Sequence, residues 1–244
     1  MFTPRLAAAS LSGRSDATWA LAVSEYIGAA FMGGIALDGP TRNAARQMVE
    51  RDRNEFLPPD PIGFIDEQLS RLDDHDILAG FNVRAVDPVA IHRAAEICVS
   101  HGALIEINAH CRQEEMCAVG AGESLLHDSD RLCEQVQRAS LSGACVSVKV
   151  RAEVPGIDLV TLSTAIVEAG GTIIHVDAMD SPDIVGDIAQ SVDAFVIGNN
   201  GVRDVASARQ YLDRGADAVS VGRASDDPET LATIQRAAMQ EVSR

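Results

Sequence analysis

Residues 105–116 read IEINAHCRQEEM, an alternating strand that runs out into His110, Cys111 and Arg112. A structural cysteine sits inside as a small inert hydrophobe, whereas a thiol at the point where a strand emerges into a polar loop is placed to react. Lys149, in CVSVKVR, is the only lysine in the chain; every other basic residue is arginine. A compact ammonium on a strand, rather than a planar guanidinium, suits the stabilisation of an anion forming on a bound ring. The stretches IGNNGV (197–202) and VGRASDDP (221–228) put small and turn-forming residues at strand exits just ahead of helical sequence. Backbone N–H groups there can face a phosphate, and Arg223 can add a charge-assisted contact. His110, Cys111, Cys117 and His127 lie close in sequence, but not at the Cys-x2–4-Cys spacing of structural zinc, so no metal is expected.

All of these residues need strands that end together. Short apolar runs recur along the chain, each closed by Gly, Asn, Arg or Asp and followed by an amphipathic segment: LAAAS, AAFMGGIAL, ILAGFNVR, LIEINAH, CVSVKVR, TIIHVDAM, AFVIGNN and DAVSVGRA. The intervening DPVAIHRAAEICVSHG opens on an Asp-Pro cap signal and closes on glycine, as a helix should. Strands alternating with helices imply a parallel sheet, and eight such units in 244 residues suit a closed (β/α)8 TIM barrel of one domain. The absence of a GxGxxG after the first strand argues against a dinucleotide fold. Residues 43–76 are irregular, contain FLPPDPIGF, and read as a helical insertion covering one side.

In such a barrel the site lies at the C-terminal strand ends. Those ends carry Asn82 and Arg84, Asn108 and Cys111, Lys149 and Arg151, His175 and Asp177, Asn199 and Asn200, Gly222 and Arg223. Taken singly, Asn82 or Asn108 could cap a helix and His175 could be a satisfied core histidine. Six polar strand ends together point to a site, since a packed core has little reason to collect them.

Composition narrows the classes. The longest near-apolar run, residues 27–37, is about half of the ~20 residues a spanning helix needs. The N-terminus lacks a basic stretch followed by a sustained apolar one, and five cysteines at irregular spacing do not make a disulfide framework. The expectation is a cytoplasmic protein without a membrane partner. A net charge of −16 and a pI near 4.6 argue against a general nucleic-acid binder. Carboxylate excess with arginine in place of lysine fits either a salt-rich (halophilic) cytoplasm or a GC-rich coding bias.

Taken in order, INAHCRQEEMCAVGAGESLL, SVKVR, IIHVDAM, VIGNNGV and GADAVSVGRA resemble the Asn-and-Cys, Lys-x-Arg, His, Asn-Gly and Gly-Arg segments of tRNA-dihydrouridine synthases. FNVRAVDP falls where that family has Gln and then Asp-Pro. The resemblance spans roughly residues 77–227 and is nearest to a small archaeal-type branch. It implies FMN, with NAD(P)H as electron donor. Lys149, at the flavin's pyrimidine edge, His175, and Asn82 beside the ring would contact the cofactor. Asn199, Asn200, Gly201, Gly222 and Arg223 would hold its phosphate. Cys111 would be the catalytic acid, protonating C5 of a uracil ring while C6 takes hydride from FMN N5, with Lys149 assisting; Asn108, Arg112 and Arg151 would meet the substrate.

Two positions depart from the pattern: Arg112 stands where the family has Pro, and Asn199-Asn200-Gly201 where it has Asn-Gly-Asp. The sequence after the eighth helix leaves no room for the helical domain with which these enzymes hold tRNA. The expected substrate is therefore a uracil in tRNA or, alternatively, a free dihydroorotate- or dihydropyrimidine-like heterocycle; a phosphate-binding barrel without redox chemistry is the third reading.

Overall fold

The computed structural model describes residues 1–239. Its eight strands are β1 (Leu6–Ala8), β2 (Ala29–Ala36), β3 (Leu78–Arg84), β4 (Leu104–Asn108), β5 (Val146–Arg151), β6 (Ile173–Asp177), β7 (Phe195–Asn199) and β8 (Ala218–Val221). They pair in chain order, all parallel, and β8 closes onto β1. Both faces of each strand are covered, as a closed parallel sheet demands, and the strand residues are almost all buried. One face of the strands, with residues such as Ile105, Val148, Ile174 and Val219, packs in the large core cluster that includes the helices. The other face fills the barrel interior. Its floor is Ala7, Phe31, Leu104, Ile173 and Ile197, a second apolar cluster.

The helices are α1 (Ala17–Val23), α2 (Gly39–Glu50), α3 (Pro61–Ser70), α4 (Pro88–Ser100), α5 (Glu114–Ala118), α6 (Ser129–Ser140), α7 (Leu159–Glu168), α8 (Asp183–Ser191), α9 (Val205–Leu212) and α10 (Pro228–Met239). Most start in the way the sequence signals: Asp16, Asp38, Asp60, Asp87, Asp128, Asp158 and Asp204 each accept a hydrogen bond from a first-turn N–H. Among the described residues no helix is long and apolar enough to cross a membrane.

Between β2 and β3 the chain forms two helices. The first, α2, begins before residue 43, at the Asp38–Thr41 capping box with a proline in its first turn. It packs against α5, with Ala44, Met48, Met116 and Ala121 forming a small buried cluster flanked by Cys111. The second, α3, lies beside α4 in the outer ring. The loop between them carries Glu55 back toward the strand ends, and this matters for the site.

Candidate active site

Period-2 alternation sends Leu104, Glu106 and Asn108 to one face of β4, and likewise Ser147, Lys149 and Arg151 on β5 and Ile173, His175 and Asp177 on β6. That this face is the interior follows from hydrogen bonds between non-adjacent strands. Glu106 on β4 accepts from His175 Nδ1 on β6 at 2.6 Å, and His175 Nε2 lies 2.7 Å from Ser220 Oγ on β8. Glu106 also accepts from Ser147 Oγ (3.0 Å) and from Asn82 Nδ2 (2.7 Å). Asn199 Nδ2 donates to Ser220 Oγ at 2.7 Å, and Asn108 Nδ2 donates to Asn82 Oδ1 at 2.9 Å. Finally Asn108 Oδ1 receives the backbone N–H of Cys111 at 3.1 Å. One chain of hydrogen bonds thus crosses the barrel from the β7 turn to the Cys111 loop.

Glu106 and His175 are each 0% exposed. Burial alone would raise the Glu106 carboxyl, but His175, Lys149 and the Asn82 hydrogen bond hold it below the ordinary range. Burial, followed by Lys149, pushes His175 down against the pull of Glu106. The pair is therefore an anion with a neutral imidazole: Nδ1–H donates to Glu106, and Nε2 accepts from Ser220. Every polar atom of this layer has a partner, which offsets the cost of burying it. The Phe31 ring of the apolar floor lies 5.3 Å from the His175 ring, centroid to centroid.

Above this layer the strand ends open into two adjoining cavities of about 590 and 620 Å3, each within the range of small-molecule sites. The first is lined by Lys149, the 199–203 turn and residues 220–224; the second by Cys111, Asn108, Arg84 and Ser12. His110, Arg112, Arg151 and Asp177 belong to both walls. In a chain of net charge −16, Arg112, Lys149, Arg151, Arg203 and Arg223 line the first cavity and Arg14, Arg53 and Arg84 are added by the second. The acids there are Asp177 and Asp52. The mouth gathers basic side chains in an otherwise acidic protein.

Lys149 is 3% exposed, and neither a hydrogen bond nor an ion pair to another described residue holds it. Burial pulls its ammonium below the ordinary lysine value, while Glu106 and Asp177 act from a distance in the other direction. An unpaired buried cation is costly unless a ligand meets it. Arg112, Arg203 and Arg223 are likewise without a carboxylate partner among the described residues, but they are exposed at the rim. Arg151 differs, lying 3.2 Å from Glu123 and 3.4 Å from Asp177. Asn200 donates to Asp177 at 3.0 Å.

The Cys111 loop is fixed by its backbone. Glu123 N–H donates to the Cys111 carbonyl at 2.9 Å, and Cys117 Sγ lies 3.4 Å from the same oxygen. A Cβ on Gly122 (φ +64°) would come within 2.4 Å of that carbonyl, so only glycine allows the approach. The β7 turn is held in a comparable way: Tyr211 packs on Gly198 and its hydroxyl donates to the carbonyls of Asn199 (3.2 Å) and Asn200 (2.8 Å). The N-terminus of α9 is closed by its own Asp204, which accepts from Ser207 N–H at 2.7 Å. An anion in this turn would therefore be met by the loop and by arginine side chains rather than by the helix end.

The residues expected from the sequence fall into two groups. Lys149, Asn199, Asn200, Gly201, Gly222 and Arg223 come together around the first cavity, and Asn108, Cys111, Arg112 and Arg151 around the second. Asn82 and His175 lie one layer lower, fully buried, and line neither cavity. Sequence reasoning passed over Glu106, although its place two residues before Asn108 on an alternating strand puts an acid on the interior face. It also passed over Arg203 and the Arg84–Glu55 pair, 2.6 Å apart and with both side chains almost completely buried. Ser12 accepts a further hydrogen bond from Arg84.

Comparison with known proteins agrees with this architecture. An uncharacterized protein of Methanocaldococcus jannaschii is 26% identical over 226 residues, covering 88% of this chain and 86% of that one. A mutant tryptophan synthase α-subunit from Pyrococcus furiosus superposes with a TM-score of 0.62 at 14% identity, over 97% of both chains. FabK from Thermotoga maritima gives a TM-score of 0.60 at 16% identity over 91% of this chain and 58% of its own. The chain thus spans less than two-thirds of FabK, and at such identities both likenesses show the fold alone. The family model described as Dihydrouridine synthase (Dus) matches residues 67–243, which include β3 to β8, the Cys111 loop and the lining of the two cavities apart from the segment after β1 and residues 52–54. By that match the chain belongs to the dihydrouridine synthase family.

Proposed function

We propose that this member of the family is an FMN-dependent reductase of the C5=C6 bond of a uracil-type ring, with FMN in the first cavity and the ring in the second. The observation that carries the reading is a pair of adjoining cavities that share part of their lining, with the unpartnered Lys149 in one and Cys111 in the other. The residues fit such a cofactor: a buried ammonium without a partner suits an electron-rich ring edge, and Arg203 and Arg223 beside the 199–201 turn suit a phosphate.

Bound FMN, reduced by NAD(P)H, would supply the hydride for C6. Cys111 then gives its proton to C5 from the opposite side and regains one from water. Asn108 holds the Cys111 loop in place through the backbone N–H, while Lys149 steadies negative charge on the first-cavity ring. Arg112, exposed where the two cavities meet, and Arg151 beside it present positive charge to the substrate.

The ring is carried either by tRNA or by a free pyrimidine. Anaerobic mixing of the FMN-loaded, NADPH-reduced protein with a uracil-containing tRNA transcript and, separately, with free pyrimidines tests this. Reoxidation of the flavin with formation of a dihydropyrimidine supports the reading, and the arm that reacts names the source. A protein that stays colourless when FMN is added overturns it.

A further inference from the structure

The lining shared by the two cavities contains a side chain that neither the cofactor nor the acid accounts for. His110 lines both cavities. Its Nδ1 is buried and has no hydrogen-bond partner, and no partner among the described residues meets Nε2 either. His175, by contrast, has both nitrogens occupied. The backbone that carries the ring is held in place, because the main-chain N–H groups of His110 and Cys111 both approach Asn108 Oδ1, at 3.3 and 3.1 Å. The other members of the shared wall are disposed differently. Arg151 and Asp177 are bound to each other, Leu11 is apolar, and Arg112 and Arg223 stand at the exposed rim. That leaves Ser10 and His110 as inward polar groups, and only His110 is next to Cys111 in the chain.

Resting on the reading proposed above, we infer that His110 is a further catalytic residue, which donates a hydrogen bond from Nε2 to the ring carbonyl conjugated with the double bond being reduced. Reduction of C5=C6 in such a ring is a conjugate addition. As C6 accepts hydride, the π pair of C5=C6 moves toward C4 and its oxygen, and returns to form the C5–H bond when C5 takes the proton of Cys111. Negative charge therefore grows on the carbonyl oxygen, and a fixed donor aimed there is worth more in the transition state than before it.

Two properties of His110 suit that role. Burial, then Lys149, His175, Arg84 and Arg151 in turn, hold its imidazole well below the ordinary histidine range, so it is a neutral ring with one N–H and one lone pair. Asp177 is the one acid that shares its wall in both cavities. With Nδ1 sealed off, the tautomer that strands a lone pair rather than an N–H carries its proton on Nε2, since orphaned buried donors are rarer than under-satisfied acceptors. A neutral imidazole donates a hydrogen bond without releasing its proton, which keeps Cys111 as the acid.

The experiment compares parent, His110→Ala and His110→Gln. Loss of one such donor costs about 10²- to 10³-fold. Reoxidation of reduced flavin by the uracil substrate should slow by about that factor in His110→Ala, and the amide donor of His110→Gln should recover part of it. FMN affinity and the rate of flavin reduction by NADPH should match the parent in both. In the cofactor-free protein, 15N spectra of labelled histidine should show a neutral Nε2–H ring at pH 6 whose signal moves when uridine is added. Reoxidation of His110→Ala at the parent rate overturns the inference and leaves the reductase reading intact. Equal losses in FMN binding, or a charged ring at pH 6, also overturn it. If the parent's reduced flavin is reoxidised neither by transcript nor by free pyrimidine, the reductase reading falls and the role of His110 falls with it.

Discussion

The barrel interior and the barrel mouth use the same residue types in opposite ways. Glu106, His175, Asn82, Ser147 and Ser220 are joined by hydrogen bonds in the interior, while the side chains of Lys149, His110, Arg203 and Arg223, further along the same strands or in their loops, make no hydrogen bond or ion pair with another described residue. A satisfied buried network gives rigidity and a single arrangement; unsatisfied groups in a cavity are sites waiting for a ligand. Burial does not by itself separate the two layers, since Lys149 is buried like the network below it whereas Arg203 and Arg223 are exposed. Partnering does.

Substitutions at the two layers should accordingly have opposite effects on stability. The largest loss is expected for Glu106→Ala, which strands His175, Ser147 and Asn82 without their acceptor and leaves Lys149 without its nearest anions but Asp177. Removing one partner of a buried charged network costs about 3–5 kcal/mol, read as a lower urea midpoint. The same network sets a pH dependence. Glu106 and His175 both have folded-state pKa values below their unfolded ones. Their contribution is therefore present above the unfolded values and lost as pH falls, first through the histidine range because the unfolded chain takes up a proton that folded His175 refuses. Unchanged stability between pH 7 and pH 5 would break the assignment of His175 as neutral.

At the mouth, Lys149→Met should abolish productive flavin binding while raising stability by about 1 kcal/mol, since an uncompensated buried charge is replaced by an apolar chain of similar length. Lys149→Arg should keep the fold but impair flavin reduction, because a planar guanidinium does not reproduce a point charge in the same space. A destabilised Lys149→Met would place the lysine in the interior network instead.

Arg223→Ala tests the rim. Charge-assisted hydrogen bonds contribute about 1.5–3 kcal/mol, so FMN should weaken by roughly ten- to a hundredfold and riboflavin hardly at all. Equal losses for the two flavins in a binding titration would put Arg223 elsewhere.

The smallest effect lies outside both layers. His101, at the end of α4, reaches Asp73 (2.8 Å) and Asp66 (2.9 Å) with its two ring nitrogens. Burial opposes its charge, but the two carboxylates prevail and raise its pKa. Its contribution is full below the ordinary value near 6.5 and is lost as pH rises through the higher folded value. His101→Gln should remove a shallow decline in melting temperature over that interval. A parent protein whose stability is flat there would show that the clip on α3 is fully screened by solvent.

Much of this molecule follows from its order of residues. Eight apolar runs closed by polar or glycine residues dictate eight strands, helices between them dictate parallel pairing, and the strand ends then dictate where Cys111, Lys149, Asn199 and Arg223 emerge. The Asp38–Thr41 capping box starts α2 before residue 43, ahead of the segment that the sequence marked as irregular. What the sequence alone could not supply is the partner of each inward side chain. Period-2 alternation says which face of a strand Glu106 or His175 occupies, but only closure of the barrel sets β4 opposite β6, bringing together side chains 69 residues apart. The same closure decides that the Lys149 and His110 side chains meet no partner among the described residues, that Glu55 folds back onto Arg84, and that two adjoining cavities share part of their lining. Local periodicity fixes direction, whereas contact across a barrel depends on strand stagger and tilt, which are properties of the whole sheet.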